Sequence, residues 1–258
     1  MKTSIGAQEL SRKGVGDVAE AVGKTTGISK QEGSGNIYVR GLGDRYNSTT
    51  FNGLPLPSNN PSRKNIELAL FSTDIVASIG IDKTYVYSNY GDFAGANIDI
   101  VSKDYRGDGL FEFQIGTGIN TEAIGLDKFY LQDGPSYTGF YDTKIPAFAL
   151  NNYNFETSLD REVAPTPING AFSLKGGKSF TLGEETRLSI FGVGSFDNGY
   201  TFKEGISRGN VTTGGIIRKD YDYSAYEYDT NTTLMGNVSL SHKGHSLNYN
   251  TLYVNSTS

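Results

Sequence analysis

The sequence predicts a small α+β domain followed by long antiparallel strands of a partial β-barrel. Two changes near Asp104 and one pattern beyond it support this. Residues 1–104 hold 11 of the 23 basic and 11 of the 28 acidic side chains, so the net charge of -5 falls entirely after Asp104. The hydrophobic pattern changes at the same place, from short mixed segments to a period of two. Beyond it, five strands of about ten residues are joined by connections that run long, short, long, short.

The N-terminal part, residues 1–104, reads as mixed α and β. Ala7–Lys13 and Val15–Lys24 are expected as two short helices, with Ala19 and Val22 on one face and Gly14 and Gly16 as breaks. Gly27 and Gly33–Gly35 mark turns. Ile37–Arg40 and Thr49–Asn52 are expected strands, the second running into Asn52-Gly53, a strong turn dipeptide. Asn59-Asn60-Pro61-Ser62 reads as a polar loop tip and Ile66–Phe71 as a short helix. Ile75–Ile81 is the longest apolar stretch and reads as a buried strand. Tyr85-Val86-Tyr87 and Ile98–Lys103 are two further expected strands.

After Asp104 the strands carry one apolar and one polar face. Leu110–Gly118 sets Phe111, Phe113 and Ile115 against Glu112, Gln114 and Gly116. Ala171–Lys175 and Thr186–Phe196 flank a tight connection at Thr181–Glu185. Thr232–His242 and Ser246–Asn255 flank another at Lys243-Gly244. The remaining connections, about 119–166 and 197–231, are long. Alternating tight turns and extended loops are the pattern of an outer-membrane barrel; a soluble up-and-down barrel has shorter, more even loops.

Composition removes several function classes. No Cys is present, which excludes disulfides and thiolate metal sites. Only His242 and His245 are available for metal or triad chemistry, and they fall in a tight turn. An acidic balance argues against a nucleic-acid partner. Gly41-Leu42-Gly43 lacks the third glycine and the following helix of a dinucleotide site. No catalytic motif, metal site or cofactor is expected. No apolar run approaches the roughly 18 residues of a membrane helix, which leaves a membrane barrel open.

The connection over 197–231 contains Asp220-Tyr221-Asp222-Tyr223-Ser224-Ala225-Tyr226-Glu227-Tyr228-Asp229. Tyrosine joins an apolar ring face to a hydroxyl, which suits stacking on a sugar or a peptide. Tyr221, Tyr223, Tyr226 and Tyr228 are therefore candidate ligand contacts, against the plainer reading of a solvated loop.

Three motifs carry a family resemblance. Ile37-Tyr38-Val39-Arg40-Gly41-Leu42-Gly43-Asp44-Arg45-Tyr46-Asn47, continuing through Asn52-Gly53-Leu54-Pro55-Leu56-Pro57-Ser58, resembles the plug domain of TonB-dependent outer-membrane receptors. Asp74–Lys83 resembles the strand "I-x-x-I-E-V-x-K" of that domain. Asn89–Lys103 is similar to its closing segment, with Ser102 where Thr is commoner. The resemblance implies an α+β plug domain over 1–104, followed by transmembrane antiparallel β-barrel strands over 105–258. It implies that Arg40 and Arg45 pair with carboxylates of the barrel wall. It also implies that the Asn52–Ser62 loop is a plug apex whose Asn59 and Asn60 contact cargo.

The same resemblance implies uptake of a scarce siderophore, glycan or peptide. Energy would come from TonB–ExbB–ExbD, the barrel would sit in outer-membrane lipid, and a surface lipoprotein lid is a further expected partner. Such barrels have about 22 strands, and five strands leave open edges that hydrocarbon does not tolerate. The chain is accordingly expected to be the N-terminal part of a longer protein, with a TonB box upstream and roughly seventeen further amphipathic strands downstream. The competing expectation is a soluble β-rich glycan-binding module or adhesin, in which Phe111, Phe113 and Ile115 pack against a second sheet.

Overall fold

The computed structural model describes residues 2–30, 37–58, 60, 62–87, 89–140, 148, 151, 160–211, 213–215 and 217–257. Two compact units emerge. The first comprises Met1–Phe111, Lys175–Val193 and Thr233–Leu252; the second comprises Glu112–Leu174, Gly194–Thr232 and Tyr253–Ser258.

The N-terminal domain begins with strand β1 (Lys2–Gly6), helix α1 (Ala7–Lys13) and helix α2 (Val18–Gly23). Asp17 starts α2 as its N-cap, its carboxylate accepting from Glu20 N at 2.8 Å. Glu20 in turn accepts from Gly16 N just before the cap and from Lys24 Nζ one turn on, which fixes the entry to the helix. Strands β2 (Ile28–Lys30) and β3 (Ile37–Val39) form a separate antiparallel pair. Next come β4 (Ser48–Phe51), β5 (Leu54–Pro55), β6 (Val76–Asp82) and β7 (Asn97–Ser102).

Five of these strands make one mixed sheet in the order β1-β6-β7-β4-β5. β4 runs parallel to β7, whereas β1 and β6 are antiparallel to their neighbours. Asn52-Gly53 makes the β4–β5 turn with both residues at positive φ, +52° and +80°, as a primed hairpin turn requires. The core gathers Ile5, Val18, Val22, Phe71, Ile75, Ile79, Ile81, Ile98 and Ile100 between helices and sheet.

Five further strands form a second sheet in the order β14-β13-β12-β11-β8: β8 (Leu110–Ile119), β11 (Ile168–Leu182), β12 (Thr186–Val211), β13 (Ile217–His242) and β14 (His245–Thr257). Each strand neighbours the one before it in this sheet, a meander that does not close. The β8–β11 connection carries a short helix α3 (Thr121–Ile124) and the small pair β9 (Tyr130–Gln132) and β10 (Arg161–Val163).

Side chains of the second sheet alternate as a membrane-facing sheet demands. Phe111 is 79% and Ile115 74% exposed, and Ile190, Leu234, Leu247 and Tyr249 are also exposed. On β13 the intervening Thr233, Met235, Asn237 and Ser239 are buried. Among the described residues, no second sheet packs against Phe111, Phe113 and Ile115, contrary to the soluble-module expectation.

Three sequence readings need correction. Tyr85-Val86-Tyr87 is not a strand; Tyr87 is exposed, and among the described residues no ladder partner holds this stretch extended. β1 was not anticipated, because Lys2–Gly6 has one apolar residue in its interior; it forms by pairing with β6. The expected long loop over 197–231 is mostly strand. β12 and β13 extend to Val211 and from Ile217. Cross-strand ion pairs Lys203–Glu227 (2.7 Å) and Arg208–Asp220 (3.2 Å) support this extension, and Tyr200 and Phe202 pack against Tyr226 and Tyr228 on one face of it. Gly33–Gly35 lies outside the described residues.

Candidate functional site

The first sequence motif is organised by one buried side chain. Asn47 is 4% exposed. Its amide donates to Ile37 O and Gly43 O at 3.3 and 3.2 Å, and its Oδ1 accepts from Ala96 N at 3.2 Å. It therefore ties the end of β2–β3 to the closing segment before β7. Gly95 lies against Asn47 so closely that a Cβ there would collide with Asn47 Oδ1. That contact explains a glycine at this position on steric grounds.

Asp44 fixes the returning end of the apex loop. Its carboxylate accepts from Lys64 N at 2.7 Å and Asn65 N at 3.2 Å, while Asn65 Nδ2 donates to Asn47 O. Lys64 Nζ reaches Asp92 at 3.2 Å. The loop tip itself is local chemistry: Asn60 Oδ1 accepts from Ser62 N at 2.9 Å, an Asx turn. Asn60 is exposed, and Asn59 falls outside the described residues.

The two arginines stand at exposed positions. Arg40 takes φ +53° next to Gly41 at +80°, so the strand end of β3 turns through two left-handed residues. Among the described residues, neither Arg40 nor Arg45 lies within ion-pairing distance of a carboxylate. The ion pair between the N-terminal domain and a long strand is instead Lys175–Asp74, with Nζ–Oδ1 at 2.8 Å and side chains 11% and 26% exposed.

A polar ladder runs along the parallel β4–β7 pair and on to the long strands. Ser48 Oγ donates to Asn97 Oδ1 (2.6 Å), Thr50 Oγ1 to Asp99 Oδ1 (2.7 Å), and Asn52 Nδ2 to Ser102 Oγ (3.0 Å). Ser102 Oγ donates to Asn250 Oδ1 of β14 at 3.1 Å, and Asn237 Nδ2 of β13 donates to the same oxygen at 2.6 Å. Thr233 Oγ1 reaches Leu70 O at 3.4 Å. Tyr105 stacks on Phe191 with centroids 6.3 Å apart, over Gly177. Among the described residues, neutral hydrogen bonds, one ion pair and the Tyr105–Phe191 stack thus join the N-terminal domain to the long strands.

The tyrosines of 220–229 lie on β13 and split by parity. Tyr221 and Tyr223 are exposed. Tyr226 and Tyr228 pack in an aromatic cluster: Tyr226 meets Phe129 edge-on at 5.3 Å, and Tyr228 lies 4.6 Å from Tyr200. Sequence reasoning did not find Asp74, Lys175, Asn237 or Asn250. Each reads there as ordinary strand polarity, and the partner of Lys175 is 101 positions away.

Residues 1–97 match the sequence pattern of the TonB-dependent Receptor Plug Domain. This N-terminal domain is a TonB-dependent receptor plug. The structure of a mutant ferric enterobactin receptor, PfeA of Pseudomonas aeruginosa, in complex with enterobactin, aligns over 98% of this chain and 32% of that one. Identity is 13% and the TM-score 0.50. The siderophore receptor PirA of P. aeruginosa aligns over 99% of this chain and 42% of that one, with 12% identity and a TM-score of 0.40. The ferric-catecholate import receptor Fiu of E. coli K12 aligns over 94% and 46%, with 14% identity and a TM-score of 0.38.

The chain thus spans about a third to a half of the length of these structures. At such identities the PfeA likeness speaks for the fold, a plug followed by barrel strands. No curated protein matches the chain by sequence. TonB-dependent receptors are transport proteins of the Gram-negative outer membrane and work with TonB–ExbB–ExbD.

Proposed function

We propose that this chain is the N-terminal part of a TonB-dependent outer-membrane receptor that takes up a scarce siderophore, glycan or peptide. The observation that carries the reading is the two-sided sheet beside the plug. Its outward rows are exposed and apolar, while its inward rows meet the plug through Lys175–Asp74, Ser102–Asn250 and Thr233–Leu70. An exposed apolar row at every second residue is unfavourable in water and suits hydrocarbon.

In this reading the plug occludes the pore, and TonB–ExbB–ExbD pulls on it to rearrange it. No covalent chemistry is involved. The exposed Arg40 and Arg45 are plug cations for carboxylates of the barrel wall. Asn59 and Asn60 at the apex, with Tyr221 and Tyr223 on the exposed extension of β13, are the contacts offered to cargo. Tyr226 and Tyr228 support that extension from within their aromatic cluster. A surface lipoprotein closing over the extension completes the proposal.

The test is accumulation of labelled ferric siderophores, oligosaccharides and peptides by cells carrying the receptor, with and without TonB. Accumulation of one class that disappears without TonB supports the proposal. Equal accumulation in both strains for every class contradicts it.

A further inference from the structure

We infer that the outward face of the second unit holds a specific site for an acyl chain of a membrane lipid. The inference rests on the reading that these strands lie in a bilayer, and goes beyond it by naming a cleft.

The cleft measures about 1000 Å³ and is lined by Phe113, Ile115, Tyr137, Phe140, Phe172 and Phe196. That is the upper end of the roughly 300–1,000 Å³ range of ligand pockets. Its position follows from a chain of ring contacts. Phe113, Ile115 and Phe172 belong to the exposed rows of β8 and β11. Phe172 lies 5.8 Å from Phe196 of β12, and Phe196 lies 6.4 Å from Tyr137 of the β8–β11 connection. Tyr137 then stacks on Tyr228 at 5.8 Å, and Tyr228 Oη donates to Tyr137 O at 2.7 Å. Asn255 Nδ2 donates to Gly139 O at 3.0 Å, fixing the connection further along. The part of the connection around Tyr137–Phe140 therefore lies over the same face that presents the apolar rows. Its aromatic rings roof the upper end of those rows, and the cleft continues the lipid-facing surface.

The lining chemistry favours hydrocarbon over a sugar. The polar side chains around the cleft are largely engaged with the sheet's own backbone. Thr117 Oγ1 donates to Asn169 O (3.1 Å), Asn169 Oδ1 accepts from Tyr200 N (2.8 Å) and Asn198 Oδ1 accepts from Gly170 N (3.0 Å). Among the described residues, no charged side chain lines it. Thr232 Oγ1, also in the lining, is buried without a hydrogen-bond partner among the described residues. One buried hydroxyl amid aromatic walls fits a chain with a single ester carbonyl at its head, since a buried donor left unpaired is costly. Tyr and Phe collected at one level of the outward face also match the aromatic girdle at a membrane interface.

The absence of tryptophan allows a clean test. The receptor at its native length carries a single Trp in one of three places: Phe196→Trp in the cleft, Phe140→Trp on its roof as a second probe should the first perturb packing, and Leu247→Trp on the exposed row of β14. Each variant is placed in detergent with an equimolar amount of phosphatidylcholine bearing brominated acyl chains. The site predicts quenching at 196 or 140 at least threefold stronger than at 247, because detergent dilutes lipid everywhere except at a true site. Equal, weak quenching at all three positions overturns the site. The same variants in vesicles of pure brominated phosphatidylcholine test the underlying reading separately. Quenching at 247 there is expected, and its failure contradicts bilayer insertion itself.

Discussion

Removing the Asp74 carboxylate probes how the plug is held to the strand beside it. Lys175 Nζ sits 2.8 Å from Asp74 Oδ1, with its side chain 11% exposed. Coulomb attraction at that distance is about 6 kcal/mol with an effective dielectric near 20. Desolvation of both groups offsets much of this. Breaking a fully buried pair costs about 3–5 kcal/mol, and Asp74, being 26% exposed, brings the expected loss to about 2 kcal/mol. Asp74→Ala should therefore lower hydrogen-exchange protection of the β6 amides about 30-fold. Lys175→Met removes the same attraction and deletes the stranded ammonium. The double variant should lose less than the sum of the singles, with a coupling of at least about 1 kcal/mol. Strict additivity, within about 0.3 kcal/mol, would refute the pair as a tether.

Gly95→Ala forces Asn47 out of its buried hydrogen bonds, and a loss of about 2–4 kcal/mol is expected in denaturant melts of the plug; an unchanged midpoint contradicts the assigned role. Gly177→Val puts a branched side chain where a Cβ already comes within 2.9 Å of Tyr105 and 3.0 Å of Phe191. It should cost about 1–3 kcal/mol and shift the near-UV dichroism of the Tyr105–Phe191 stack, whereas Gly177→Ala should cost less. Asp17→Ala removes the α2 cap and should cost about 1 kcal/mol, with increased exchange confined to the first turn of α2.

Much of the fold was legible in the sequence because its signals were local. The Ile75–Ile81 run, the Asn52-Gly53 turn and the period-two rows around Phe111 and Leu234 each specify their own element. What escaped depended on distant partners. β1 exists through β6, and the β12–β13 extension through cross-strand ion pairs and an aromatic cluster shared by the two strands. Tyr85–Tyr87 shows the converse, a strand-forming composition with no neighbouring strand to pair with among the described residues. The site was legible to a similar degree. The motifs containing Asn47 and Gly95 marked the plug, but the arginines of the first one say nothing of Asp74 and Lys175, which make the ion pair to a long strand. Nothing in a strand's alternation says which of its inward polar residues meets the plug.

The central claim is that the second sheet faces lipid on one side and the plug on the other. The chain has no cysteine, so spin labels can be attached to single cysteines placed in turn at positions 233–240 of β13 in membrane-inserted receptor. Collision rates are then measured with oxygen, which partitions into lipid, and with a water-soluble nickel chelate. The account predicts oxygen access that alternates strictly, high at 234, 236, 238 and 240 and low at 233, 235, 237 and 239, with little nickel access at the even positions. Absence of alternation, or nickel access along the even row, would contradict it.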